Sequence, residues 1–292
     1  MAGKNEIVGK YRMYHLIRAG AVYEIWAVRP MSGTEVFAIK WLPKDSSKFS
    51  RLAVNELKHE FNVGKSLDHP GVIKTHEYGT GSNGAWLVME FFKTPNLKQQ
   101  ITANVKALQW RLKDVLTNAA GGLAHMHEKG WVHRDIKPDN YLINDANEVR
   151  LIDFTIAAKV TGGLGKLLGG KTKVQGTYSY MGPEQIRGQG VDPRDDIYSF
   201  GCMIYELLAG KTPFTANTPP ELLQRHLKQK PPSLTVVDKN IHPDFAAYVE
   251  KMLAKKRELR PQSMKEVMVK IKSEPMFYTP PEKPKPDENP EA

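Results

Sequence analysis

Residues 133–140 read HRDIKPDN, and this octapeptide is the most informative stretch of the chain. It carries two carboxylates, three potential cations and an amide, with apolar segments on both sides. Pro138 has no backbone N–H and disfavours helical geometry at Lys137, so we expect the octapeptide to lie in a loop. The following segments 141–144 and 148–152 are typical of two strands joined by a tight turn. The loop is therefore predicted to lead directly into a β-hairpin.

A further carboxylate, Asp153, follows this hairpin and is expected to return close to Asp135 and Asn140. Carboxylate and amide oxygens are the ligands that hard cations such as Mg²⁺ prefer. An ordinary charged surface loop is the alternative interpretation, and the carboxylate beyond the hairpin argues against it. The spacing favours a site for a divalent cation and a phosphate group.

The octapeptide resembles the catalytic loop of the protein kinases, H-R-D-L-x-x-x-N, with Ile136 in the place of leucine. Lys137, two residues after Asp135, is similar to the serine/threonine branch of that family. The resemblance implies that Asp135 orients an acceptor hydroxyl and accepts its proton, while Lys137 neutralises charge on the transferring group. It also implies that Asn140 and Asp153 hold Mg²⁺.

The segment VFAIK at 36–40 is similar to the V-A-I-K strand of the same family. The resemblance implies that Lys40 contacts the α- and β-phosphates of ATP. A helix is predicted over about 51–66 by its apolar periodicity. Glu60 stands at the position of the family's helix glutamate, which pairs with the strand lysine. Glu56, one turn earlier, remains the alternative partner.

The N-terminal third alternates and turns like a strand meander, with strands expected over 11–17, 24–28 and 36–42. The helix after them is predicted to bury one side only. The apolar residues that suggest this buried side are Leu52, Leu57, Phe61 and Val63.

The resemblance also assigns the nucleotide pocket. Residues 86–92 look like the last strand of the small lobe and the hinge, where Met89 would wall the adenine pocket. The backbone between Glu90 and Phe92 would bond the adenine edge. The implied nucleotide-binding residues are Ile17, Gly20, Ile25, Ala38, Lys40, Met89, Glu90, Phe92 and Leu142.

Two motifs depart from the family pattern. The glycine-rich loop G-x-G-x-x-G is represented by Arg18, Gly20 and Tyr23, so only the middle glycine is present. Side chains at the other two positions restrict the backbone, and they predict a phosphate lid that closes less tightly. An ordinary hairpin tip is the alternative interpretation. The family motif D-F-G reads Asp-Phe-Thr at 153–155, and Thr155 is β-branched and stiff where glycine is free.

Residues 176–184 resemble the family's G-T-x-x-Y-x-A-P-E, with Gly182 in the place of alanine. The resemblance implies that Glu184 pairs with Arg260 in a buried structural salt bridge. An ordinary ion pair is the alternative, and it would be structural as well.

The segment between Asp153 and Glu184 contains several lysines and glycines and no acidic residue. A phosphate there would pair with Arg134 and the lysines and order the segment. Thr172 is the expected autophosphorylation site, with Thr161 as a second candidate. Thr177 is expected instead to contact the catalytic residues.

The chain has 292 residues, of which 40% are hydrophobic and 25% charged, so it can bury a large core. Its net charge of +10 comes from dispersed lysines, and we expect no nucleic-acid partner. No apolar run predicts a membrane segment, and residues 1–12 lack the apolar core of a secretory signal. The single cysteine, Cys202, excludes a disulfide framework and is typical of a reducing, cytoplasmic setting.

The motifs together predict an α+β, two-lobed protein-kinase-like fold, with a small β-rich N-lobe containing one main helix and a larger helical C-lobe. The kinase domain is expected over 11–274, divided into 11–92 with the hinge and 93–274, followed by a Pro-rich disordered tail over 275–292.

The implied function is that of a serine/threonine protein kinase. Such an enzyme uses ATP and Mg²⁺ and transfers the γ-phosphoryl group to Ser or Thr hydroxyls of protein substrates, in signalling. The alternative is a nucleotide-binding pseudokinase that acts as a scaffold, which Arg18, Tyr23 and Thr155 favour.

Overall fold

The computed structural model describes residues 6–160 and 175–284. The proposed phosphorylation sites Thr161 and Thr172 lie outside these residues. Within them, the first lobe is built on an antiparallel sheet whose strand order is β1-β2-β3-β4-β6-β5. The strands are β1 (Ile7–Val8), β2 (Tyr11–Ala19), β3 (Glu24–Pro30), β4 (Phe37–Pro43), β5 (Thr75–Gly81) and β6 (Gly84–Glu90).

Strand register places Ala38 opposite Met89 and Lys40 opposite Leu87. Because side chains alternate between the two faces of a strand, Ala38 and Lys40 point to the same side of the sheet. Helix α1 (Arg51–Lys65) packs against this side. The opposite side is covered by a separate apolar cluster that includes three tryptophans. The sheet therefore directs Lys40 toward α1.

Helix α1 begins where the Ser50 side chain accepts a hydrogen bond from the backbone N–H of Ala53. Its buried positions are Ala53, Leu57, Glu60, Val63 and Gly64. The predicted buried position of Leu52 is wrong, since this side chain is 65% exposed. Leu52 lies one residue from Ala53, which is about 100° around the helix and off the stripe spaced at three and four residues.

The second lobe is mostly helical. A 3₁₀ turn at Lys106–Arg111 separates its first two helices. The elements of this lobe are α2 (Leu97–Asn104), α3 (Leu112–Glu128), β7 (Trp131–Val132), β8 (Tyr141–Ile143), β9 (Val149–Leu151), β10 (Ala158–Lys159), α4 (Pro183–Ile186), α5 (Pro193–Ala209), α6 (Pro219–Lys228), α7 (Leu234–Val237), α8 (Pro243–Met252) and α9 (Met264–Ser273). The predicted α+β, two-lobed fold is confirmed.

Helix α5 forms the centre of the large lobe, because every side chain from Asp195 to Leu208 is buried. A helix that is buried on all sides requires neighbours all round, which the other helices of this lobe provide. Packing continues beyond α9. Met276 and Phe277 are buried, and Ile241 forms a β-bridge with Phe277, although the sequence assigned these residues to the tail. In the described part of the chain no helix is both long and apolar enough to cross a membrane.

Candidate active site

The loop 133–140 is held by a buried carboxylate at the start of α5. Asp196 accepts hydrogen bonds from the backbone N–H groups of His133 at 2.7 Å and Arg134 at 2.8 Å. A third contact comes from α3, where the Nε2 of His127 lies 2.9 Å from Asp196 Oδ2. Arg134 has a left-handed φ of 70°, which is strained for a side-chain-bearing residue. The Asp196 bonds stabilise this strained turn and so fix where Asp135 points.

Four donor groups surround the Asp135 carboxylate, one of which is the Asn140 amide at 3.2 Å from Oδ2. Its Oδ1 accepts from the backbone N–H of Thr177 at 3.0 Å and from the Thr177 hydroxyl at 3.1 Å. The Nζ of Lys137 is 2.7 Å from Asp135 Oδ2 and donates to the Thr177 hydroxyl at 2.7 Å. The expected contact of Thr177 with the loop is therefore present. A carboxylate held in this way has a defined orientation toward an acceptor hydroxyl.

Asn140 and Asp153 have the atoms that a hard cation requires. The Asn140 amide nitrogen donates to the carbonyl of Asp135 at 2.8 Å. Asn140 Oδ1 can accept another partner, and the described residues provide none. Asp153 uses Oδ1 in its contacts with Lys40 and Thr155, and Oδ2 remains for another partner. Among residues 6–160 and 175–284, no three His, Cys, Asp or Glu side chains converge as a metal site. A cation held here would therefore complete its shell with phosphate and water oxygens, as Mg²⁺ does in nucleotide sites.

Lys40 and Glu60 form a buried pair between the sheet and α1. Lys40 Nζ lies 2.6 Å from Glu60 Oε2, and the two residues are 8% and 3% exposed. Lys40 Nζ also lies 3.4 Å from Asp153 Oδ1. The alternative partner Glu56 instead faces the hydroxyl of Tyr23 at 3.3 Å. The structure thus pairs the strand lysine with Glu60.

Electrostatics favour the charged forms of Lys40 and Asp153 in this cluster. Burial by itself would lower the pKa of Lys40, but the neighbouring carboxylates of Glu60 and Asp153 outweigh it and raise that pKa. Burial would raise the pKa of Asp153, but Lys40 and the Thr155 hydroxyl hold it below its ordinary value. Burial raises the pKa of Glu60 against the opposing effect of Lys40. A cationic lysine beside an anionic aspartate suits the binding of a phosphate–cation complex.

Two of the residues that depart from the family motifs, Tyr23 and Thr155, contact this cluster. Tyr23 turns away from the β2–β3 turn toward α1, where its hydroxyl donates to the carbonyl of Ala53 at 2.9 Å. Its ring centroid is 4.9 Å from Lys40 Nζ, a cation–π distance. Thr155 places its hydroxyl 2.6 Å from Asp153 Oδ1. Both side chains therefore pack into the site.

Three of the predicted nucleotide-binding residues lie on the face of the sheet that carries Lys40 and borders the cleft between the two lobes. Ile25 lies opposite Lys40 in register, and Ala38 lies opposite Met89, so these side chains share one face. From the other lobe, Leu142 lies between Tyr141 and Ile143, both of which are buried in the large core. Alternation along β8 turns Leu142 the opposite way, toward the cleft.

Two further predicted residues lie in the β2–β3 turn and the strand before it. Gly20 donates its backbone N–H to the carbonyl of Tyr23 at 2.9 Å, and a Cβ at Gly20 would lie 2.7 Å from that oxygen. Only glycine fits this turn without displacement. Ile17 is exposed in a bulge of β2 between Leu16 and Arg18.

A residue that the motifs did not indicate, Arg150 of β9, contacts the hinge from the large lobe. Arg150 Nε donates to both carboxylate oxygens of Glu90, at 3.0 and 3.1 Å. Its guanidinium carbon lies 4.5 Å from the ring centroid of Phe92. Arg150 therefore fixes the segment whose backbone is expected to meet adenine. Arg150 lies in β9 and pairs with Leu142 of β8 in the hairpin register, and this register is the signal that places it at the cleft.

Contacts within the second lobe hold the segment that carries Thr177. Arg260 Nη2 donates to both oxygens of Glu184, at 3.0 and 2.9 Å, and both side chains are buried. Gln185, next in the chain, donates to the carbonyl of Arg134 at 2.8 Å. The segment that carries Thr177 is thus attached both to the large-lobe core and to the loop 133–140.

The small lobe carries a buried lysine–glutamate pair and the large lobe an oriented aspartate–lysine pair, which together define the class of the protein as a two-lobed, kinase-like fold. The chain belongs to the protein kinase family, since residues 11–271 match the protein kinase domain. Membership of this family implies the use of ATP.

Several curated bacterial proteins are similar to this chain. It is 29% identical over 269 residues to a probable serine/threonine-protein kinase of Streptomyces coelicolor, covering 91% of this chain and 40% of that protein. It is 28% identical over 271 residues to serine/threonine-protein kinase PknB of Mycobacterium tuberculosis, covering 91% of this chain and 43% of PknB. It is 31% identical over 258 residues to probable serine/threonine-protein kinase pknA2 of Bifidobacterium longum, covering 87% and 34% respectively. The chain thus spans less than half the length of these relatives.

Proposed function

We propose that the chain is a serine/threonine protein kinase that transfers the γ-phosphoryl group of ATP to Ser or Thr hydroxyls of protein substrates. The observation that carries this proposal is the arrangement around Asp135. Its carboxylate is oriented by Thr177 and accompanied by the cation of Lys137 at 2.7 Å. The bacterial relatives named as serine/threonine kinases support the same substrate class.

In the proposed mechanism, Asp135 accepts the proton of the substrate hydroxyl while the oxygen of that hydroxyl bonds to the γ-phosphorus. The bond from that phosphorus to the β-phosphate oxygen breaks, and ADP is left. Lys137 neutralises negative charge on the transferring group, and Lys40, held by Glu60, positions the α- and β-phosphates. Mg²⁺, when bound, supplies further charge neutralisation at the phosphates.

Asn140 and Asp153 are the proposed cation ligands, because both keep a free oxygen beside the cleft. The proposed adenine pocket lies between Ala38 and Met89 of the small lobe and Leu142 of the large lobe. These assignments extend the motif resemblance.

The alternative, a nucleotide-binding pseudokinase, was favoured by Arg18, Tyr23 and Thr155. The contacts of Tyr23 and Thr155 with the Lys40 cluster support the active enzyme instead, since neither side chain separates Lys40 from Glu60. The expected cytoplasmic setting and the expected absence of a nucleic-acid partner stay predictions.

The test is incorporation of label from radiolabelled ATP with Mg²⁺ into the chain itself and into Ser- and Thr-containing peptides, beside an Asp135→Asn control. Label on serine or threonine above the control is expected. Equal label in both proteins would overturn the proposed function, and intact nucleotide binding in both would then leave the scaffold as the better description.

Autophosphorylation at Thr172 belongs to the same proposal. Arg134 donates to the carbonyl of Ile156 at 3.3 Å and lies at the base of the segment that would carry the phosphate. Mass spectrometry after incubation with Mg²⁺ and ATP should find phosphate on Thr172, and Thr172→Ala should be less active. A fully active protein with unmodified Thr172 would contradict this switch.

A further inference from the structure

The hydroxyl of Thr155 lies within hydrogen-bonding distance of three charged side chains. It is 2.6 Å from Asp153 Oδ1, 3.1 Å from Glu60 Oε2 and 3.2 Å from Lys40 Nζ. These groups come from three separate elements of the fold: strand β4, helix α1 and the segment after β9. Thr155 is therefore the point where the strand, the helix and the post-hairpin segment meet.

The chemistry of a hydroxyl matches this position. A threonine hydroxyl has one proton to donate and two lone pairs, so it can donate to one carboxylate while it accepts from an ammonium group. The 2.6 Å contact identifies Asp153 as the stronger acceptor. The ammonium of Lys40 has three protons, and Glu60 at 2.6 Å, Thr155 at 3.2 Å and Asp153 at 3.4 Å provide three acceptors.

We propose that Thr155 is a positioning residue that fixes Asp153 and the Lys40–Glu60 pair in one arrangement before nucleotide binds. Neither glycine nor a purely apolar residue at this position can make these bonds. The proposal rests on the proposed function for its biological meaning, because a prearranged Asp153 matters where a cation–nucleotide complex must be held. Because Asp153 Oδ1 bonds to Thr155 and Lys40, Oδ2 is available to a ligand in the cleft.

A neighbouring contact supports the same coupling. His59, adjacent to Glu60 on α1, places Nε2 2.8 Å from the carbonyl of Ala157. Two consecutive residues of α1 thus contact the segment 153–157 directly. These two contacts join α1 to the segment 153–157 and do not involve residues 175–284. Loss of the Thr155 hydroxyl should leave the His59 contact in place and loosen the Asp153 side chain specifically.

The experiment compares Thr155→Ser, which keeps the hydroxyl, with Thr155→Val, which keeps the branched shape and removes it. Dissociation constants for ADP are measured by calorimetry with and without Mg²⁺. Thr155→Val should bind ADP with Mg²⁺ about 10-fold more weakly than the parent, since hydrogen bonds to charged groups are the stronger class. Without Mg²⁺ the same variant should lose less than about 3-fold, because Asp153 acts on the nucleotide through the cation. Thr155→Ser should remain within about 2-fold under both conditions.

Thr117→Val is the matched control, because its hydroxyl donates to the carbonyl of Lys113 within α3, away from the cleft. It should bind ADP like the parent. If Thr155→Val does not fold, Thr155→Ala against Thr155→Ser makes the same comparison.

Equal affinity of Thr155→Val and the parent for ADP with Mg²⁺ would overturn the proposal. Equal losses in Thr155→Ser and Thr155→Val, or equal losses with and without Mg²⁺, would also overturn it and assign Thr155 a packing role. The binding comparison is independent of phosphoryl transfer. If the unsubstituted protein binds the nucleotide but transfers no phosphate, the proposed function is wrong. The role of Thr155 is then still decided by the affinities for ADP.

Discussion

Two threonine hydroxyls occupy equivalent chemical positions on the two sides of the cleft. Thr177 lies between Lys137 and Asp135, at 2.7 and 3.1 Å. Thr155 lies between Lys40 and Asp153, at 3.2 and 2.6 Å. In both places one hydroxyl accepts from an ammonium group and donates to a carboxylate, so each lysine–aspartate pair is joined by a third group.

The two positions differ in how they are built. Thr177 belongs to a family motif and reaches Asp135 from a separate segment, using its backbone N–H as well as its hydroxyl. Thr155 replaces the glycine of a family motif and lies two residues from Asp153 in the chain. The difference teaches that a departure from a motif can add a bond as well as remove backbone freedom. Four substitutions separate the contributions of the two sides.

Replacing Asp135 by asparagine should have the largest effect. The variant keeps the shape of the side chain but cannot accept a proton, and an amide nitrogen would face the donors of Thr177 or Lys137. We expect kcat to fall about 10³-fold. Binding of ADP with Mg²⁺, measured by calorimetry, should stay within about 3-fold of the parent. A variant that keeps a tenth of the parent's kcat would show that Asp135 is not the proton acceptor.

Replacing Lys40 by methionine tests the other side of the cleft. The change leaves Glu60 and Asp153 without the cation that they share. Glu60 is only 3% exposed, so its carboxylate would be buried without a charged partner. Because breaking a buried ion pair costs about 3–5 kcal/mol, both stability and kcat/KM for ATP should fall, the latter about 10²-fold. Urea unfolding and steady-state kinetics measure the two losses. Unchanged kcat/KM in a folded variant would contradict the proposed role of Lys40.

Replacing Thr177 by valine tests the motif threonine in the same way as the Thr155 variants. Loss of its hydroxyl removes the bond to Asp135 and the acceptor for Lys137, while the backbone N–H remains. We expect kcat to fall about 30-fold, with Thr177→Ser close to the parent. In contrast to Thr155→Val, affinity for ADP with Mg²⁺ should not change. A loss of nucleotide affinity in Thr177→Val would remove the distinction between the two hydroxyls.

The smallest expected effect distinguishes the two helix glutamates. Glu60→Gln replaces the charged partner of Lys40 at 2.6 Å and should lower kcat/KM about 10-fold. Glu56→Gln is the matched control one turn earlier, where the carboxylate faces the hydroxyl of Tyr23. Its kcat/KM should stay within about 2-fold of the parent. Equal losses in both variants would mean that the charge of α1 matters and the specific pair does not.

The motifs predicted most of the fold because each of them marks a fixed place in a known order. The octapeptide at 133–140, the strand lysine and Glu184 each led to the element that the structure places there. The contact of Thr177 with Asp135 could also be predicted, since its motif lies at a fixed distance before Glu184.

Side-chain directions at the departures could not be predicted. For Tyr23 and Thr155 the sequence shows that glycine is missing, but the partner of each hydroxyl depends on how α1 approaches the sheet. Arg150 was missed for a similar reason, because its contacts with Glu90 and Phe92 join parts of the chain that are distant in sequence. Leu52 was misassigned, because apolar residues in a short helix do not by themselves determine which of two adjacent positions is buried.

The burial of Cys202 has a practical consequence for spectroscopy. This thiol is fully buried within α5, and burial raises its pKa, so it should not react with thiol-directed labels in the folded protein. It is also the sole cysteine of the chain. Labels introduced at Leu52→Cys on α1 and Val236→Cys on the large lobe, both highly exposed positions, would report on the native background without removing Cys202. The distance between two such labels would follow the movement of α1 against the large lobe directly, in solution, as nucleotide is added.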